Sequence, residues 1–88
     1  MKAYNKSPAA VLDYIEDYST YLGGDTISTS TWSGTGGITK NSDSKTTTTT
    51  TVWFSGGSAG QNYTWTNRIV TAAGRTEERS IVIRVEQQ

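Results

Sequence analysis

Asp13, Glu16 and Asp17 fall within five positions, with Asp25 a little further along, and form an acidic cluster in the 88-residue sequence. Paired carboxylates can share a proton for general acid–base work or hold a calcium ion. The cluster lacks the spacing of a calcium loop, and the sequence has neither His nor Cys to work beside it. That composition removes the usual general base, the Ser-His-Asp arrangement, thiolate nucleophiles, disulfides and nitrogen or sulfur metal sites. Asn41-Ser42-Asp43-Ser44 offers oxygen ligands, but with a single carboxylate it reads as turn chemistry. Gly34, Gly36 and Gly37 lack the Gly-Lys-Ser/Thr ending that would aim backbone amides at a phosphate. Asn5-Lys6-Ser7 and Asn62-Tyr63-Thr64 match glycosylation acceptors, which carry no meaning without export. No catalytic, metal-binding or cofactor-binding residue is therefore expected, and the acidic cluster is expected to be a solvated edge. An enzyme is not the expected reading.

Rings and hydroxyls remain. The sequence has three Trp, five Tyr and one Phe, with 16 Thr and 10 Ser, but only 14 residues in all of Leu, Ile, Val and Phe. Eight basic and eight acidic residues cancel, so no basic excess points to nucleic acid. No apolar run is long enough to span a membrane, and the N-terminus shows no signal-peptide pattern, so synthesis in the cytoplasm is expected. In a domain poor in aliphatics, Trp rings serve first as core and next as contact surface; stacking on a sugar is a third use. Trp53 has the opposite parity to Val52 and Phe54, so one of the two sets must face away from the core, and Trp53 is the preferred contact residue. Trp32 is a second candidate. The run Thr46–Thr51 is either a solvated strand or an edge open to strand addition, in which case Thr48 and Thr50 face a neighbour.

These residues need strands to position them. Thr, Ile and Val together fill 27 positions, and stiff β-branched side chains favour the pleated strand. Turn signals recur at Gly23-Gly24-Asp25, Ser33 to Gly37, Asn41 to Asp43, Ser55 to Gly57 and Ala73-Gly74, a spacing that suits a sandwich or barrel. Tyr63, Trp65, Asn67 and Ile69 alternate with polar neighbours, as do Ile81, Ile83 and Val85 after a turn at Ala72–Arg75, which predicts a hairpin with one buried face. A strand is expected over Thr46–Phe54, paired with a short one at Gly37–Lys40 through a turn at Asn41–Ser44. Another covers Asp25–Trp32, where Ile27 and Trp32 differ in parity; a bulge between them, or burial on both faces, reconciles this. Val11, Tyr14, Ile15, Tyr18 and Leu22 also fit a helix, but the preferred reading is a strand over Val11–Asp17 followed by a helical turn over Tyr18–Leu22.

Gly60-Gln61-Asn62-Tyr63-Thr64-Trp65 with Asn67, Ile69 and Thr71 resembles the penultimate strand of an immunoglobulin-like domain, and Ser80 to Val85 resembles the last. The resemblance makes Tyr63 a candidate tyrosine corner, its hydroxyl bonded to nearby backbone. An ordered series extends it: Pro8, Leu12-Asp13-Tyr14, Asp17, Tyr21-Leu22, Gly24 to Ile27, Ser30-Thr31-Trp32, Val52-Trp53, Gly56-Gly57, Ala59-Gly60, Thr66-Asn67, Gly74-Arg75-Thr76 and Glu78-Arg79-Ser80. Over residues 8–86 the sequence is similar to small bacteriophage and prophage virion proteins of the fibre–tail adaptor type. Trp65 departs from the smaller β-branched residue usual in such proteins at that position.

The expected fold is all-β, an immunoglobulin-like sandwich of about six or seven antiparallel strands with one short helical turn. The single domain is expected over 9–86, with tails at 1–8 and 87–88. The resemblance implies a virion structural protein that links tail or portal-proximal parts to fibres, in several copies per particle, through contacts with other virion proteins. Capsid decoration is the alternative within that class, and a carbohydrate- or surface-binding module with Trp32 or Trp53 as the stacking ring is the alternative outside it. Opposite charges in Ala9–Ser33 and the last hairpin can pair within one domain, the preferred reading, or between copies.

Overall fold

The alternation at Tyr63, Trp65, Asn67 and Ile69 becomes strand β6 (Asn62–Thr71), paired antiparallel with β7 (Thr76–Val85) so that Tyr63 faces Ile83 and Trp65 faces Ile81. Gly74 takes the positive φ that closes the turn, and its N–H donates to the Thr71 carbonyl. In this computed structural model the described residues run from 2 to 86, so the tail expected at 87–88 lies outside them.

Five more strands and one helical turn complete the order: β1 (Lys2–Lys6), β2 (Leu12–Asp17), α1 (Ser19–Leu22), β3 (Ile27–Gly34), β4 (Ile38–Lys45) and β5 (Thr49–Gly56). They form a four-stranded sheet, β1-β7-β6-β3, and a three-stranded sheet, β2-β5-β4. All pairings are antiparallel except β1 with β7. This is the immunoglobulin-like arrangement, with β3, β6 and β7 on one sheet and β2, β5 and β4 on the other. The first strand has crossed to pair with the last. Lys2–Lys6, within the segment expected as a tail, is thus a sheet strand; parallel pairing lets it lie beside β7 before Pro8 turns the chain toward β2.

Residues 12–22 adopt the strand-then-turn reading. Tyr14 and Glu16 point inward on β2, and Gly23 at φ 55° ends the helical turn by donating to Ser19 O. A bulge between Ile27 and Thr29 brings both Ile27 and Trp32 into the core, which resolves their parity. The expected turn at Asn41–Ser44 is corrected. β4 runs on to Lys45, the Asn41 region makes a register shift between Lys40 and Ser42, and the chain reverses at 46–48. Thr46 makes that turn: its hydroxyl accepts from the Thr48 and Thr49 amides and bonds the Thr49 hydroxyl at 2.8 Å.

The core has two apolar parts. Tyr14, Trp32, Ile38, Val52, Phe54, Tyr63, Ile81, Ile83 and Val85 fill one end; Tyr18, Leu22, Ile27 and Ile69 fill the other. Between the sheets sits Asn67, with no exposed surface. Its Oδ1 accepts from the Tyr18 and Thr50 hydroxyls, both at 2.8 Å, and its Nδ2 donates to Ser30 Oγ and Thr31 O. A buried amide satisfied on both ends ties together three strands and Tyr18, the residue before α1, where aliphatic volume is scarce.

Candidate protein–protein interface

Glu16 and Asp25 are tied into the fold. Glu16 is buried on β2, and its carboxylate accepts from Arg79 Nη1 at 3.2 Å; the same guanidinium lies 4.4 Å from the centre of the buried Tyr18 ring. The expectation of a solvated edge is corrected for this residue, because inward parity on β2 takes it under β7. Asp25 accepts from Arg75 at 3.2 Å, and hydrogen bonding, led by the Thr71 hydroxyl, holds its carboxyl below the usual aspartate value. Charges at the two ends of the sequence thus pair within one domain. Burial raises the Tyr18 and Tyr14 hydroxyls above the ordinary phenol value. Lys6 is buried as well, its ammonium donating to Ser7 O at 2.9 Å and Gly56 O at 2.6 Å, and burial lowers its pKa.

Tyr63 stands at the start of β6, and its hydroxyl accepts from the Ser58 N–H at 3.0 Å, pinning the loop that leads into the strand. The tyrosine-corner expectation names a bond of this kind, between the hydroxyl and backbone a few residues upstream. Gly57 and Gly37 flank the ring: a Cβ on Gly57 would stand 2.8 Å from Val85 Cγ2, and one on Gly37 would stand 3.0 Å from the tyrosine ring.

The four residues read as contact candidates separate sharply. Trp32 is only 5% exposed and belongs to the core, so it presents no ring to a partner or a sugar. Thr50 is fully buried and bonded to Asn67. Thr48 lies in the β4–β5 turn, half-buried, with its carbonyl accepting from Tyr18 N. β5 is the central strand of its sheet, flanked by β2 and β4, so the threonine run is no open edge. Its inward parity was visible from Val52 and Phe54; its central place was not, because strand order is not written in one strand's composition.

Trp53 is the one that reaches solvent, 40% exposed on the outer face of the three-stranded sheet. It stands opposite Asp13, while Ile15, 52% exposed, stands opposite Thr51 and so is diagonal to the indole. Val11, 53% exposed, lies just before β2, whereas Leu12 shares the inward parity of Tyr14, stands opposite Phe54 and is 38% exposed at the strand's start. These aliphatics were not singled out as contact residues. The signal for Ile15 was its parity, opposite to Tyr14 once the segment is a strand. The result is a small apolar patch of Trp53 and Ile15 beside Asp13, bordered by Ser42 and Thr51, of the kind that marks contact sites on small proteins.

The four-stranded sheet presents a different outer face. Thr64, Thr66, Arg68, Ser80 and Arg84 point away from the core, and the Thr66 and Ser80 hydroxyls bond at 2.8 Å. Both flanks carry hydroxyls; the three-stranded one adds Trp53 and Ile15 beside Asp13, and the four-stranded one adds Arg84 and the cross-strand pair of Arg68 and Glu78.

No curated protein matches the chain. A family model does, over residues 6–84, which takes in β2 to β6 and all but the last residue of β7, with Tyr63 and Trp53. Its description is podophage GP4 fiber-tail adaptor protein gp77. With an immunoglobulin-like sandwich beneath that match, the chain belongs to the podophage GP4 fiber-tail adaptor protein gp77 family.

Proposed function

We infer from family membership that the chain is a phage structural adaptor, a virion component that binds other virion proteins. We propose that it joins tail or portal-proximal parts to fibres without chemistry of its own, and that the outer face of β2 and β5 is one of its contact surfaces. The observation that carries this is the placement of Trp53: of three Trp, it alone is exposed, and it stands beside Ile15. Burying an indole and a neighbouring aliphatic in a matching pocket is the usual anchor of a protein contact. Asp13 beside the indole suits a partner that offers a Lys or Arg next to its apolar surface.

The chain is made in the host cytoplasm, where particles assemble, and is built into each particle in several copies. Quantitative mass spectrometry of purified particles tests this. An adaptor on a symmetric tail is expected at on the order of ten copies. Absence from particles of a phage that encodes it, or hundreds of copies as in capsid decoration, would overturn the reading.

A further inference from the structure

Four strands end the two sheets: β1 and β3 in one, β2 and β4 in the other. An edge strand exposes unpaired amides and carbonyls, and folded proteins blunt such edges with charge, brevity or bulges. β1 has five residues and two lysines; β2 has six and carries Asp13, Glu16 and Asp17. β4 carries Lys40, Asp43 and Lys45 and is interrupted between Lys40 and Ser42. β3 is eight residues long, Ile27–Gly34, and has no charged residue and no proline; its bulge lies at the Ile27 end and leaves Thr29–Gly34 regular.

The alternation of antiparallel bonds identifies which groups are open. Thr35 N–H donates to Thr64 O, and Val85 N–H donates to Gln61 O on the opposite side of the strand. Even-numbered residues of β6 therefore bond toward β3 and odd-numbered ones toward β7. In the register of Thr31 with Arg68 and Ser33 with Thr66, the amides of Thr31 and Ser33 are consumed by β6. Those of Ser30, Trp32 and Gly34 point outward.

We propose that β3 pairs with β3 of a second copy, antiparallel about a two-fold axis at Trp32, joining two four-stranded sheets into one of eight. In that register Ser30 faces Gly34 and Trp32 faces its own equivalent, and about six backbone bonds form without disturbing those to β6. The side chains that meet across the seam on the outer face are Thr31 and Ser33, small hydroxyl-bearing residues for which self-pairing brings no like-charge repulsion. Gly34 suits the approach: the Trp65 indole occupies the space its Cβ would need, 2.5 Å from that position, so no side chain stands there. The absence of charge is the specific argument for an identical partner, since an edge shaped for an acidic or basic strand would carry the opposite sign. This seam uses neither Trp53 nor Ile15 and does not rest on the reading of that face.

Amide hydrogen exchange by NMR, at a series of concentrations of the full chain, tests it. Thr31 and Ser33 amides are expected to be protected throughout, while Ser30, Trp32 and Gly34 gain protection as concentration rises and the mass in solution doubles. Ser33→Lys, on the exposed outer face, is expected to keep the same fold by spectral dispersion and remain monomeric; Ser33→Thr is expected to dimerise, and so is Trp53→Ala. A chain that stays monomeric with these three amides unprotected would overturn the proposal. Protection that appears only on adding a fibre or tail protein would give the edge to another occupant and overturn it equally.

Discussion

At the scale of single residues, Asn67 carries more of the fold than its polarity suggests. Replacing it with Ala strands the buried Tyr18 and Thr50 hydroxyls together, and the expected loss is about 3 kcal/mol in denaturant unfolding. Thr50→Val removes one donor at nearly constant volume and leaves Oδ1 paired with Tyr18, so about 1 kcal/mol is expected. Asp25 gives the pH signature. Its folded pKa is depressed, so its contribution is complete above the unfolded value of about 4 and is lost as pH falls through the folded one. The stability gap between wild type and Asp25→Asn should accordingly be constant near neutrality and close on acidification below that value. A gap that stays constant into strong acid would remove Asp25 from the linkage. Little of this was legible beforehand: Asn67 showed inward parity with Tyr63 and Ile69, but its partners come from β3, α1's preceding residue and β5, far apart in sequence.

At the scale of elements, periodicity was informative and order was not. The β6–β7 hairpin was readable from local parity and Gly at its turn. Parity offered the β3 bulge as one of two readings. Residues 12–22 fitted a helix as well as a strand and turn, so that choice rests partly on the family resemblance. The reversal between β4 and β5 was misplaced. Asn41-Ser42-Asp43 carries strong turn chemistry, yet β5 supplies a full-length partner, and the segment is absorbed as a register shift within β4. Thr46, with no turn-specific composition around it, makes the reversal through its hydroxyl. The same contrast separates the tryptophans. Trp32→Ala should cost about 3–5 kcal/mol through the cavity it leaves, whereas Trp53→Ala should cost about 1 kcal/mol or less. Similar losses from both would place Trp53 in the core. Gly57→Ala, at φ 93° and facing Val85, should cost about 2 kcal/mol, enough to separate its role from that of an ordinary loop glycine in a thermal melt.

At the scale of the whole molecule, a thin, aromatic-rich core is shared between two sheets, and the outer face of β2 and β5 and the edge of β3 are left for contacts. The Trp53 face sets an indole and Ile15 beside Asp13; the β3 edge carries no charged side chain. A domain of this size has little stability to spare, so contacts made in assembly add to what the chain holds alone. If copies pair through β3, the urea midpoint should rise with protein concentration for wild type and stay level for Ser33→Lys. The most direct test of the adaptor account is incorporation. Phage carrying Trp53→Asp, a variant expected to fold because the position faces solvent, should yield particles from which this chain and the fibres are depleted together by mass spectrometry. Particles that hold the folded variant and the fibres at wild-type levels would contradict it.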